Sequence, residues 1–167
     1  GTLGVLSFII QPALVQGFVS HLGVDEAEAV NLAGMEMLGV AIAAIVFALP
    51  GLRVDWRRAL SGALALAIVG NGLSAVFSDN SSLWPARLLA GLGHGALISL
   101  SFTFVGLTQR VERNIALYLT LLLSYGALGV WILPQLLDIV GLSGLFIGFC
   151  GLLALGFLTV HHVPRSS

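Results

Sequence analysis

Charge is scarce in this chain: Asp, Glu, Lys and Arg make up only 9% of its 167 residues, against 57% hydrophobic residues. A soluble domain carries about 25% charged residues, because its surface faces water. A surface this poor in charge faces lipid over most of its area. The mean hydropathy of +1.03 agrees. Lysine is missing altogether, all seven basic residues being arginine, and the net charge is −1. That balance excludes the basic surface that phosphate binding needs, so no nucleic acid partner is predicted. A single cysteine, Cys150, rules out an intrachain disulfide. Its apolar setting, Gly148-Phe149-Cys150-Gly151-Leu152, reads as a buried inert thiol. No Gly-x-x-x-x-Gly-Lys loop is present, so ATP-driven work is not predicted, and neither is a cofactor or metal. The first apolar stretch lacks a basic n-region and a small-residue cleavage site, and is not read as a signal peptide. Because the first residue is Gly1 rather than methionine, the expectation is a processed start or a piece of a longer chain.

What the chain does contain is long apolar runs. A helix crosses a bilayer with about 20 mostly apolar residues, because lipid offers no partner for unpaired backbone groups. Six such segments are predicted, over residues 2–22, 29–49, 59–77, 83–107, 115–137 and 142–160. The expected fold is therefore an all-α membrane protein forming one six-helix domain over residues 1–167. The connectors are short, and none has room for a soluble domain. Glycine is frequent inside the helices, densest at Gly91-Leu92-Gly93-His94-Gly95 and Gly126-Ala127-Leu128-Gly129. Small residues let helices approach closely where lipid gives them no hydrophobic drive to pack.

The arginines predict orientation. Arg53, Arg57 and Arg58 lie in the second connector, Arg110 and Arg113 in the fourth, and Arg165 after the sixth segment. The remaining one, Arg87, is inside a helix. Basic residues beside helix ends stay cytoplasmic, so both termini are predicted inside the cell, in a cytoplasmic (inner) membrane.

The second connector, Gly51-Leu52-Arg53-Val54-Asp55-Trp56-Arg57-Arg58, resembles the signature loop of the major facilitator superfamily. That loop has a glycine, an acid four residues later and then a basic cluster; Gly51, Asp55, Arg57 and Arg58 match in type and order. The glycine before the family's final basic pair is missing, and the loop is about two residues short of the family pattern. The fourth segment, Arg87-Leu88-Leu89-Ala90-Gly91-Leu92-Gly93-His94-Gly95, is similar to the family's arginine-then-glycines motif. The fifth, from Tyr125-Gly126 to Pro134, is faintly similar to its exporter motif but lacks the glycine-proline pair. The resemblance implies the N-terminal half of a twelve-helix secondary transporter, built of two inverted three-helix repeats. A small solute would bind between the two halves near the bilayer midplane. The second half would come from the same longer chain or from a homodimer mate. The resemblance also implies that the first and fourth helices line the cavity, and that Gly51, Asp55, Arg57 and Arg58 form a gating loop. The arginines alone would equally serve topology.

Ionisable groups inside spans are costly and point to function. Glu36, Arg87 and His94 are of this kind, with Arg87, Gly91, His94 and Gly95 on one helical face. His94 falls near mid-membrane. It reads either as a substrate or proton site, since histidine titrates near neutral pH, or as a neutral imidazole bridging helices. Glu36 and Arg87 are expected to pair, structurally or with a proton-coupling role for Glu36. Gln11, beside Pro12, and Gln16 are candidates for contact with a polar solute. Asn71 reads as interhelical glue, and Tyr125 and Gln135 are weaker candidates.

Two other function classes compete with a transporter. Gly141-Leu142-Ser143-Gly144 resembles the nucleophile motif of rhomboid intramembrane proteases. Their serine needs a histidine from another helix at hydrogen-bond distance, whereas His161 and His162 lie about 27 Å along the same helix. A haem carrier needs facing histidines at one depth, and His21, His94 and the His161-His162 pair are predicted at three depths. A structural or assembly subunit of six helices has no need of Glu36, Arg87 and His94 in its interior. No enzymatic activity is predicted.

Overall fold

The computed structural model describes residues 4–5, 9–49, 55–77 and 79–160. Gly51 of the expected gating loop, Arg53 of the same connector, and His161, His162 and Arg165 lie outside the described residues. Among those described, the protein is all-α, with five helices: α1 Gln11–Leu22, α2 Glu26–Ala48, α3 Trp56–Val76, α4 Asn80–Gly106 and α5 Val111–Val160. Four stretches are long and apolar enough to cross a membrane: Glu26–Ala48, Trp56–Val76, Ser81–Gly106 and Val111–Leu158. The protein is thus built as an integral membrane protein.

Three helices start on an aspartate. The side chain of Asp25 accepts from the N–H of Glu28 at 2.7 Å, and Asp55 accepts from those of Arg57 and Arg58. Asp79 accepts from the N–H of Ser82 at 3.0 Å. Each carboxylate occupies donors that the first helical turn leaves unpaired, and it complements the positive end of the helix dipole. The caps set the helix starts a few residues before the expected ones, at Glu26, Trp56 and Asn80 rather than 29, 59 and 83. α1 begins after a turn at Ile10, with Pro12 in its first turn, where the missing proline N–H costs no hydrogen bond. Proline here therefore opens a helix rather than bending one in mid-span. At 12 residues α1 does not cross a bilayer by itself.

α5 runs to 50 residues, which in one straight rod would extend about 75 Å. It does not stay straight. Gly141 has φ 67° and ψ 179°, a conformation open essentially to glycine alone, and the chain turns back there. Leu133 and Leu137 before the turn, and Leu142, Leu145 and Phe146 after it, pack in one core with Ile10, Leu14, Phe18 and Leu83. Away from the turn, Tyr118 meets the Phe102 ring at 5.3 Å, while Leu153 and Val160 join a second core with Ala63, Leu64 and Leu100. The expected connector 138–141 is thus helical through residue 140 and reduced to one residue.

The two cores mark two ends of the bundle. Trp56, at the start of α3, meets the ring of Phe104, near the end of α4, at 5.2 Å. Arg57, Arg58, Arg110 and Arg113 therefore share one end. Asp25, Asp79 and His21, which lies beside Gly141, are at the other.

α4 sits in the middle, clamped by glycines. A methyl group at Gly91 would overlap the carbonyl of Glu36, and one at Gly95 would stand 2.6 Å from the carbonyl of Val40, both on α2. At Gly93, on the opposite side of α4, it would come within 2.7 Å of the Ala63 carbonyl on α3. Gly39 on α2 and Gly70 on α3 complete the two contacts from the other side. The glycine run is thus a two-sided contact strip, and it brings the backbones of α2 and α3 within reach of the polar side chains of α4.

Candidate functional site

Five polar residues are buried where α2, α3 and α4 meet: Glu36 and Arg87 at 0% exposure, Asn71 at 0%, His94 at 2% and Ser74 at 3%. Glu36 lies about 15 Å along α2, and Arg87 and His94 about 10 and 20 Å along α4, so the cluster sits in the middle depth of the bundle.

Glu36 is the hub. One carboxylate oxygen, Oε2, accepts from Arg87 Nη2 and from Gln11 Nε2, the latter at 3.0 Å. The other, Oε1, lies 2.9 Å from His94 Nδ1. Arg87 continues the network through Nη1 to Asn71 Oδ1 at 3.4 Å and to the Ser74 hydroxyl at 3.5 Å. Its guanidinium also lies 4.9 Å over the ring of Phe146 on α5. Asn71 Nδ2 donates to the Ala67 carbonyl at 2.8 Å and stands 3.4 Å from His94 Nε2. Burying one carboxylate and one guanidinium in a lipid-facing bundle is tolerable only because each is paired and hydrogen-bonded on several sides. Two polar atoms of the network have no hydrogen-bond partner among the described residues: Arg87 Nε and Gln11 Oε1.

A cleft of about 570 Å³ opens between α1 and α2, lined by Gln11, Pro12, Val15, Val30, Gly34 and Met37. Gln11 belongs to both cleft and network, so its amide connects the outside of the bundle to Glu36.

The expected site residues separate accordingly. Gln11, Glu36, Arg87 and His94 come together, and the expected Glu36 to Arg87 pair is present. Gln16 is not with them; it is exposed on α1, where its carbonyl accepts from Ser20. Asp55 caps its own helix and pairs with Arg58 at 3.5 Å on the surface, with the Arg58 side chain 90% exposed. Asn71 links helices as expected, and the groups it joins to α3 are Arg87 and His94 of α4. Ser74 and Phe146 were not predicted; nothing in their local sequence marks them, as both depend on how α3 and α5 are rotated. Tyr125 is exposed, and Gln135 donates to the Trp131 carbonyl one turn back. Ser143, the serine of the protease-like motif, is exposed and has no hydrogen bond to a histidine among the described residues. No group of three potential metal ligands occurs among them either.

No family model, curated protein or solved structure matches the chain.

Proposed function

We propose that this chain is a six-helix half of a secondary transporter that moves a small solute across the cytoplasmic membrane by alternating access, coupled to protons. In this reading α1 with the residues before it, α2, α3, α4 and the two arms of α5 are the six spans. The termini and the arginine-bearing end face the cytoplasm. The observation that carries the reading is the Glu36, Arg87 and His94 network, buried at mid-depth and joined through Gln11 to a cleft. A bundle that only fills a membrane has no need of a carboxylate, a guanidinium and an imidazole there. Such groups change partners between states at low cost only within a network, which is what an alternating site requires. The likeness of the second connector and of α4 to major facilitator motifs supports the same reading.

One observation favours a different role. Glu36 has both oxygens engaged and no exposure, as in a polar core that only fixes helix register in a structural subunit. The two readings part on one experiment. The full gene product is reconstituted in liposomes holding a pH-sensitive dye, and proton movement is followed as candidate solutes are added. The transporter reading expects solute-dependent proton flux in the wild type. It expects none in His94→Gln or in the double variant Glu36→Gln with Arg87→Met, although both remain folded. Unchanged flux in the folded double variant would sink proton coupling through this network, and no flux with any solute would favour the structural role.

A further inference from the structure

The hydrogen-bonding partners of Asn71 leave its amide one orientation. Its Oδ1 faces Arg87 Nη1 at 3.4 Å, and a guanidinium only donates. Its Nδ2 faces the Ala67 carbonyl at 2.8 Å, which only accepts. Turning the amide over would set two donors against each other at Arg87 and two acceptors at Ala67. In the allowed orientation the second hydrogen of Nδ2 is directed at His94 Nε2, 3.4 Å away. That ring nitrogen must then be bare, with its lone pair accepting. On the other side of the ring, Nδ1 lies 2.9 Å from the Glu36 carboxylate and must carry the proton.

We infer that Asn71 is a positioning residue: it holds His94 as the Nδ1–H tautomer with its proton on Glu36, and Arg87 holds Asn71 in the orientation that does so. Among the described residues, the elements around the ring agree with this assignment. α2 brings Glu36 and α3 brings Asn71. α1 reaches Glu36 through the Gln11 amide, and Arg87 on α4 acts through Glu36 and Asn71. α5 brings Phe146 onto Arg87. Among the described residues no other titratable side chain hydrogen-bonds His94.

A consequence follows for the proposed transport cycle, and it rests on that reading whereas the tautomer does not. A proton taken from water onto Nε2 would meet an N–H of Asn71. His94 therefore accepts it only when the Asn71 amide turns over, and the turn breaks the contact of Asn71 with Arg87. Proton uptake at His94 and loss of the Arg87 contact with Asn71 are one event, which leaves Ser74 as the hydrogen-bond partner of Arg87 on α3. The proton ends on Nε2, no other covalent bond changes, and the Arg87 guanidinium loses one of its partners while keeping Glu36 and Ser74.

The test is nuclear magnetic resonance of the full gene product in nanodiscs, with ¹⁵N-labelled histidine and with His94→Gln to identify the His94 signals. Long-range ¹⁵N–¹H correlations report which ring nitrogen is protonated. The expected wild-type result is a proton on Nδ1 and a bare Nε2. In Asn71→Asp either orientation of the side chain offers Nε2 an acceptor, so a proton appears on Nε2. An Nε2–H tautomer or a doubly protonated ring in the wild type overturns the inference, as does an Asn71→Asp spectrum identical to wild type. If Asn71→Asp fails to fold, the wild-type spectrum alone decides. An Nε2–H tautomer alongside solute-driven proton flux would remove this inference and leave the transporter standing. The Nδ1–H tautomer without any flux would do the reverse.

Discussion

Removing either partner of Glu36 and Arg87 strands the other charge among apolar helices. Glu36→Gln or Arg87→Met alone is expected to cost about 3–5 kcal/mol of stability, and the double variant to recover most of it. Unfolding in mixed micelles, followed by circular dichroism, measures all three, and equal losses that simply add would show that the two side chains do not interact. At this scale the sequence was partly legible. Two opposite charges and a histidine inside apolar runs announce themselves, since lipid tolerates them only when paired. Asn71, Ser74 and Phe146 do not, because their roles come from the rotation of α3 and α5. These helices are apolar around most of their circumference, with outward residues such as Val69, Leu123 and Ile147 as apolar as the buried ones. No stripe in the sequence therefore marks which face is interior.

The lengths of α2, α3 and α4 were legible and their ends less so, while α1 is shorter than expected and α5 joins two expected spans. Apolar runs measure the thickness of the lipid, whereas helices begin where the backbone finds a cap, and Asp25 and Asp55 carry α2 and α3 past the apolar run. Asp79 caps α4 in the same way. The Ser82 side chain, the Ser81 hydroxyl and the Ser82 N–H hold its carboxyl below the usual carboxylate range. A lowered value means that the cap contributes fully above the unfolded value and is lost as pH falls through the folded one. The melting temperature of Asp79→Ala should therefore lie below wild type at neutral pH, with the gap closing as pH falls through and below the usual carboxylate range. A gap independent of pH would mean that the charge is not what caps. The glycine strip makes a second prediction at this scale. Gly91→Ala drives a methyl group into the Glu36 carbonyl and should cost about 1–3 kcal/mol. Gly34→Ala, with nothing within 4 Å, should cost nothing and gain up to about 1 kcal/mol of helix propensity. Thermal unfolding of the two variants in one detergent compares them directly; equal effects would mean that α2 and α4 do not touch as described.

The whole molecule is polar along its axis, with Arg57, Arg58, Arg110 and Arg113 at one end and Asp25 and Asp79 at the other. If that axis orients the protein, Cys150→Ser carrying Ala27→Cys is labelled by a membrane-impermeant maleimide from outside intact cells. The same background carrying Gln109→Cys is labelled only after the cells are opened. The reverse pattern would place the arginines outside. The same layout has a consequence for biosynthesis. The two charges that must neutralise each other are 51 residues apart in the chain. At about 5–20 residues per second, the ribosome completes the acid of α2 several seconds before the arginine of α4. Through that interval the insertion machinery handles a helix whose carboxylate has no counter-ion. Its mean hydropathy of 2.0 is the compensation, since enough leucine, isoleucine and valine outweighs one acid at a cost of about 3 kcal/mol. Partitioning of α2 into lipid is thus independent of its future partner, and weakening its apolar residues would show first as failed insertion, before any loss of the folded network.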